Sequence, residues 1–244
     1  MIIKAITFNM CHGETLEGSI DVRKQAMFLR KYKPDIIFLQ EIDMYTKRAY
    51  NKNQIYTFSK YTSLTYRSVG TNIKYKNGFY GDGILSKFPI EYSANYLAPL
   101  TSPEHEQRGL LCNKIRIGNA KINLFSVHLS VNEEERILAA KELIRITSKI
   151  NKTEGIIIAG DFNVGISKIG KHKYLFKESS TYPEYEILKK KFKHLENSEP
   201  TWFSKESIAC IDSCFYSKNL QLSKFETIPT KLSDHYPIYM EFII

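Results

Sequence analysis

Five short stretches of this 244-residue chain put carboxylates, amides or imidazoles at the ends of apolar, strand-like runs. They are Thr7-Phe8-Asn9, Leu39-Gln40-Glu41-Ile42-Asp43, Ser126-Val127-His128-Leu129, Gly160-Asp161-Phe162-Asn163 and Ser233-Asp234-His235-Tyr236-Pro237. A sixth acid, Asp212, follows Ile211 inside an apolar run. A polar group at the end of a buried run is costly unless a partner or a metal satisfies it. One such residue reads as a strand end facing water. Six together imply strand ends that converge on one place.

The runs themselves cover Ile2–Phe8, Ile36–Gln40, Gly83–Phe88, Leu110–Ile117, Lys121–His128, Gly155–Gly160, Ala209–Tyr216 and Pro237–Ile243. Several are continuously apolar, the pattern of strands covered on both faces, whereas Lys121–Val127 alternates. Helical spacing appears over Asp21–Tyr32, stopping before Pro34. Ser130-Val131-Asn132-Glu133 has the form of a capping box, opening a long helix with Ile137, Ala140, Leu143 and Ile144 on one stripe. A third helix is expected over Tyr182–Phe192, while Tyr45–Asn77 has no periodicity that assigns it. Strands follow strands, which excludes a simple βαβ alternation and points to a layered α/β fold with mixed sheets. No repeat or linker divides the chain, so residues 1–244 read as one domain.

Composition narrows the class. With 43% hydrophobic and 25% charged residues the chain is neither fibrous nor disordered. It has no run of about 18 apolar residues to span a bilayer, and Met1–Asn9 lacks the apolar core and cleavage site of a secretion signal. A cytoplasmic monomer is the expectation. Cys11, Cys112, Cys210 and Cys214 form no CxxC pair and read as reduced thiols, Cys11 and Cys112 as small core or strand residues. The net charge of +9 suits an anionic partner: nucleic acid, a phosphate ester or an acidic surface. A surplus spread over the whole surface accounts for it equally well. Basic residues thicken at Lys168–Lys173 and Lys189–Lys193.

The polar strand ends make a coherent chemical inventory. Glu41 and Asp234 are hard oxygen ligands, and Asn9 and Asn163 add amide oxygens or donors. Oxygen ligation of this kind selects Mg²⁺, or Mn²⁺, over zinc. His128 and His235 can donate to a phosphoryl oxygen or exchange a proton near neutral pH, and Asp161 and Asp212 can orient an imidazole or accept a proton from water. The set fits metal-assisted hydrolysis of a phosphate ester. Arg108 reads as a phosphate-binding fork or as a surface ion pair with Glu106 or Glu104. His12 reads as a substrate contact or an idle loop residue, and His105, His172 and His194 read as exposed.

These motifs resemble the endonuclease/exonuclease/phosphatase superfamily of metal-dependent phosphohydrolases, in the family's order and over nearly the whole chain. Gly160-Asp161-Phe162-Asn163 and Ser233-Asp234-His235-Tyr236-Pro237 carry the resemblance most specifically, with Pro34–Glu41 close behind. Gly83–Ile90 and Glu106-Gln107-Arg108-Gly109-Leu110 are similar to compact bacterial members. The resemblance implies a four-layer α/β sandwich, two mixed β-sheets face to face with helices outside. It implies Glu41 and Asn9 at the metal with Asp234 beside them, and Asp161 and Asn163 activating the nucleophile and holding phosphate. His128 matches the phosphate-contacting histidine and His235 with Asp212 the His–Asp pair. Tyr80 lies one residue out of register with a phosphate-touching aromatic and stays outside the catalytic set, and Asp82 stands where many relatives have Asn. His235 as base must be neutral; as an electrostatic stabiliser beside Asp161 as base it must be protonated. The implied activity is in-line water attack on a phosphodiester or phosphomonoester, with an endonuclease or exonuclease as the first version. A sphingomyelinase-like or inositol-phosphatase-like hydrolase is the second, and a non-catalytic binding module on the same fold the third.

Overall fold

The apolar runs form the interior of two six-stranded sheets, and alternate side chains along them go to different layers. The computed structural model describes residues 1–170, 173–202 and 208–244. In chain order the strands are β1 (Ile2–Asn9), β2 (Ile36–Met44), β3 (Tyr66–Tyr75), β4 (Gly78–Ser86), β5 (Ile90–Leu97), β6 (Gly109–Ile117) and β7 (Ala120–His128). They continue as β8 (Gly155–Asp161), β9 (Ile166–Gly170), β10 (Lys173–Phe176), β11 (Lys193–His194), β12 (Asp212–Tyr216), β13 (Gln221–Thr227) and β14 (Ile238–Ile243). The helices are α1 (Val22–Arg30), α2 (Gln54–Thr62), α3 (Glu133–Thr147) and α4 (Pro183–Lys189).

One sheet has the order β13-β14-β1-β2-β4-β3 and the other β11-β12-β8-β7-β6-β5, with β9 and β10 as a separate hairpin. Both are mixed: β1 runs parallel to β2 and β7 parallel to β8, and the other pairings are antiparallel. Ile3, Ala5, Phe38, Leu124, Ile157, Ala159 and Met240 fill the space between the sheets. Their sequence neighbours Ile6, Phe8, Ile37 and Leu39 pack with Leu29 and Phe58 of α1 and α2. On the other outer face, Phe125, Ile158 and Phe215 pack with Ala140, Leu143 and Leu188 of α3 and α4. Helix, sheet, sheet, helix is the expected four-layer sandwich. No helix among the described residues is long and apolar enough to cross a membrane.

Local chemistry adjusts the expected boundaries. Asp21 caps α1 by accepting from the Lys24 amide at 2.8 Å. The cap of α3 is Asn132 rather than Ser130: Asn132 Oδ1 accepts from the Glu135 amide, while Ser130 Oγ donates to Glu135 Oε2. The last helix closes at Lys190, short of the expected Phe192. Tyr45–Asn77 contains α2 and β3, and β3 is a sheet edge whose side chains are mostly exposed or half-buried. The Lys168–Lys173 basic run includes Lys171 and His172, which lie outside the described residues. His194 is half-buried and stacked on Phe215, not exposed, because β11 pairs with β12 and lays it against the outer core.

Arg136 of α3 and Glu184 of α4 form a buried ion pair, and Arg136 Nη1 also donates to the Ser130 and Ile166 carbonyls. Removing one partner strands the other charge in the core, at a cost of about 3–5 kcal/mol, whereas replacing both with apolar groups removes most of that penalty. Urea unfolding should therefore show Arg136→Met severely destabilised and the Arg136→Met/Glu184→Leu double variant largely restored; additive losses would contradict the pairing.

Candidate active site

Along the inner faces of β1, β2, β7 and β8 the apolar alternation turns polar near one end of the strands. The first polar layer is Thr7, Gln40 and Ser126, all buried. Thr7 Oγ1 donates to Gln40 Oε1, Gln40 Nε2 donates to Ser126 Oγ at 3.0 Å, and Ser126 Oγ donates to the Leu39 carbonyl. These bonds stitch the two sheets together where the apolar core stops. Two residues beyond Thr7, Ser126 and Ala159 stand Asn9, His128 and Asp161, which face the same way because side chains alternate with period two. Register places His128 beside Asp161 and Asp161 beside Asp212 across β7, β8 and β12.

Backbone irregularities aim the remaining groups. A bulge interrupts β2 between Leu39 and Ile42, and Glu41 takes φ +61°, which frees it from the alternation. Gly160 admits no side chain, since a Cβ there would lie 1.9 Å from the Val127 carbonyl oxygen. Asn163, at φ +49°, donates its backbone N–H to Asp161 Oδ1 at 2.9 Å and its side-chain amide to the Leu129 carbonyl. Non-glycine residues held in this region mark places where the surroundings override local preference.

Asp161 is the point of convergence. Asn9 Nδ2 donates to Asp161 Oδ2 at 3.0 Å and to Glu41 Oε1 at 3.2 Å. The Nε2 atoms of His128 and His235 lie 3.4 and 3.7 Å from the same Asp161 oxygen. Burial and the neighbouring Asp212 raise the Asp161 carboxyl above its ordinary range, against the opposing pull of His235.

The two histidines are held in different states. Arg108 Nη1 lies 3.0 Å from His128 Nδ1, and a guanidinium only donates. His128 Nδ1 must therefore accept, leaving the proton on Nε2. Burial, then the Arg108 charge, hold the His128 pKa well below its usual value, so the ring is neutral. His235 Nδ1 meets Asp212 Oδ2 at 2.8 Å. Burial opposes its charge, but Asp212, Asp234 and Asp161 outweigh that and raise its pKa to about 10. Asp212 is itself fixed by Thr201 Oγ1, which accepts from the Ile211 and Asp212 amides, and Ser233 Oγ accepts from the His235 amide.

Glu41 is the partly exposed member, with burial opposed first by the His12 hydrogen bond and then by the charge of His235, which hold its carboxyl well below the usual range. Asp234 accepts from Trp202 Nε1 at 3.3 Å, and both Asp234 and Glu41 act on the Cys11 thiol between them. The carboxylates of Glu41, Asp161 and Asp234 form an oxygen-rich set of the kind that suits a divalent cation. Asn9 turns Nδ2 to Glu41 and Asp161 and Oδ1 to the Cys11 amide, so its oxygen joins that set only once the amide is reversed. Asp212 Oδ1, buried without a partner among the described residues, adds to the negative field.

The structure thus brings together Asn9, Glu41, His128, Asp161, Asn163, Asp212 and His235, with Asp234 at the margin. Arg108 forms the expected ion pair with Glu106, at 2.8 Å, but is itself buried and also meets His128. His12 lies 3.6 Å from Glu41. Cys11 belongs to a short 3₁₀ turn over Cys11–Gly13, not to a strand. The Thr7–Gln40–Ser126 layer escaped the sequence reading, although its position two residues before Asn9 and His128 was a usable signal. Asp82, singled out in the sequence but given no role, is buried beside Asn72 with its pKa raised to about 8, chiefly by burial.

Comparison with known proteins bears on the family and the fold. The sequence model of the Endonuclease/Exonuclease/phosphatase family matches residues 6–235. The uncharacterized protein YbhP of Escherichia coli K12 is 28% identical over 170 residues, covering 66% of this chain and 66% of YbhP. An endonuclease/exonuclease/phosphatase from Bacteroides vulgatus superposes with TM-score 0.76 at 16% identity, covering 100% of this chain and 99% of the other. D. rerio TDP2, solved with a single strand DNA product, gives TM-score 0.69 at 18% identity with the same coverage.

Because the folded His235 pKa lies above the unfolded value of 6.5, its charge stabilises the fold fully below that value and ceases to do so as pH rises through about 10. The metal-free protein should lose urea resistance between pH 7 and 10, and Asp212→Asn should flatten that part of the profile. Identical profiles for the two proteins would break the His235–Asp212 assignment.

Proposed function

This chain belongs to the endonuclease/exonuclease/phosphatase family, and from that premise we propose that it is a divalent-metal-dependent phosphoesterase acting by in-line water attack. The observation that carries the reading is the convergence of Asn9, His128 and His235 on one oxygen of Asp161 beside Glu41. Glu41 and Asn9, with Asp234, are the residues that would hold Mg²⁺ or Mn²⁺. When bound there, the cation supplies Lewis-acid polarisation of the phosphoryl oxygen and neutralises charge.

The chain's own groups divide the remaining work. Asp161 takes the proton from the attacking water, a role its raised pKa suits. Asn163 fixes Asp161 through its backbone N–H. His128, neutral with its proton on Nε2, is a fixed donor for a phosphoryl oxygen, and Arg108 sets that tautomer. His235, charged at neutral pH and oriented by Asp212, stabilises the negative charge that builds on the phosphorus-bound oxygens. This favours Asp161 rather than His235 as the base, since a base must start neutral or anionic.

A phosphodiester in nucleic acid is the first substrate class. The net charge of +9 favours a polyanion, and TDP2, similar in fold, was solved with a DNA product. Lipid headgroups and inositol phosphates are the competing substrates, and a panel of DNA, RNA, sphingomyelin and inositol phosphates separates them. A non-catalytic module would not need a buried, mutually oriented set of this kind.

Hydrolysis of bis-p-nitrophenyl phosphate should require Mg²⁺ or Mn²⁺ and vanish in EDTA. Glu41→Ala should abolish it while leaving the urea midpoint nearly unchanged. Asp212→Asn should lower kcat by roughly three to four orders of magnitude with metal affinity intact. Full turnover in EDTA after metal stripping would overturn the reading.

A further inference from the structure

The turn that follows β1 carries donors that magnesium chemistry does not use. Cys11 Sγ, a ring nitrogen of His12 and a carboxylate oxygen of Glu41 all lie within 4.8 Å of one another. Both turn residues take left-handed backbone angles, φ +46° for Cys11 and +44° for His12. The turn is held from several sides. The Cys11 amide donates to Asn9 Oδ1 at 3.1 Å and Gln54 Nε2 to the His12 carbonyl at 2.6 Å. Gly13, at φ +93°, packs so closely on Val22 that a Cβ would approach its side chain to 2.7 Å.

The histidine has the polarity of a metal ligand. Its Nε2 is bonded to Glu14 Oε2 at 3.1 Å, and its Nδ1 is turned to Glu41 Oε2 at 3.6 Å. Metal-bound imidazoles characteristically give their other N–H to a carboxylate, which fixes the ring and raises its basicity. Cys11 adds the sulfur donor to the cluster.

We propose that Cys11, His12 Nδ1 and Glu41 form a mixed sulfur, nitrogen and oxygen site for a thiophilic divalent cation of the Zn²⁺ and Co²⁺ class. Thiolate and imidazole donors select such ions, whereas Mg²⁺ takes oxygen. Binding exchanges the thiol proton for the cation: the S–H bond breaks, a sulfur–metal bond forms, and one proton passes to solvent. Glu14 is a positioning residue for His12. Because Glu41 also belongs to the oxygen set, Zn²⁺ at this site antagonises turnover supported by Mg²⁺. That consequence rests on the proposed function; the binding does not.

Titration of the metal-free protein with Co²⁺ tests the site optically. A near-ultraviolet thiolate-to-cobalt charge-transfer band should appear, with one proton released per ion, and Zn²⁺ but not excess Mg²⁺ should erase it. Cys11→Ser should abolish the band and weaken Co²⁺ binding at least tenfold. Glu14→Gln should keep the band with affinity lowered roughly tenfold. A wild-type spectrum without the sulfur band, or a band that survives Cys11→Ser, overturns the proposal. The readout needs no turnover, so a protein without phosphoesterase activity refutes the proposed function and leaves this site standing or falling alone.

Discussion

Asp161 is 1% exposed at the end of an apolar core, and that burial governs the arrangement around it. A carboxylate so placed must be compensated. The compensation comes from four directions: the Asn9 amide, the Asn163 backbone, and the Nε2 atoms of His128 and His235. Each of those groups needs its own support. Arg108 fixes His128, Asp212 fixes His235, and Ser233 ties the approach to β14 onto the Asn9 carbonyl at 2.8 Å. The site is a chain of obligations that begins with one buried oxygen.

The sandwich supplies the geometry at little extra cost, because the alternation that fills the inter-sheet core also aims the polar residues. Ala5, Thr7 and Asn9 lie on one face of β1, and Ile157, Ala159 and Asp161 on one face of β8. Parallel pairing of β1 with β2 and of β7 with β8 brings these ends to the same side. Thr7, Gln40 and Ser126 then separate the dry interior from the charged layer. Burial, reinforced by the Arg108 charge, keeps His128 a neutral donor, whereas the Asp212 carboxylate overcomes burial and makes His235 a persistent cation.

How much of this was legible depended on position in the sheets. The eight strand-like runs read from the sequence are the eight interior strands, β1, β2, β4, β6, β7, β8, β12 and β14. The edge strands β3, β5, β11 and β13 were not, because a sheet edge with exposed side chains imposes no strict apolar pattern. The site residues were legible for the same reason as the interior strands: a polar residue closing a buried run is conspicuous. Arg108 was not legible as a partner of His128, since its run carries no sign of the distant strand end it meets. Cys11 read as a small core residue because two left-handed angles in succession leave no trace in composition. Asn132 displaced Ser130 as a helix cap for an equally local reason, the competing bond from Ser130 to Glu135.

Diffraction from crystals soaked with Mn²⁺ and inorganic phosphate tests the central claim most directly. The account predicts an anomalous peak bonded to Glu41 and Asn9, with a phosphate oxygen within hydrogen-bonding reach of His128 Nε2. An ion bound away from Glu41, or phosphate bound away from the Asp161 cluster, would contradict it.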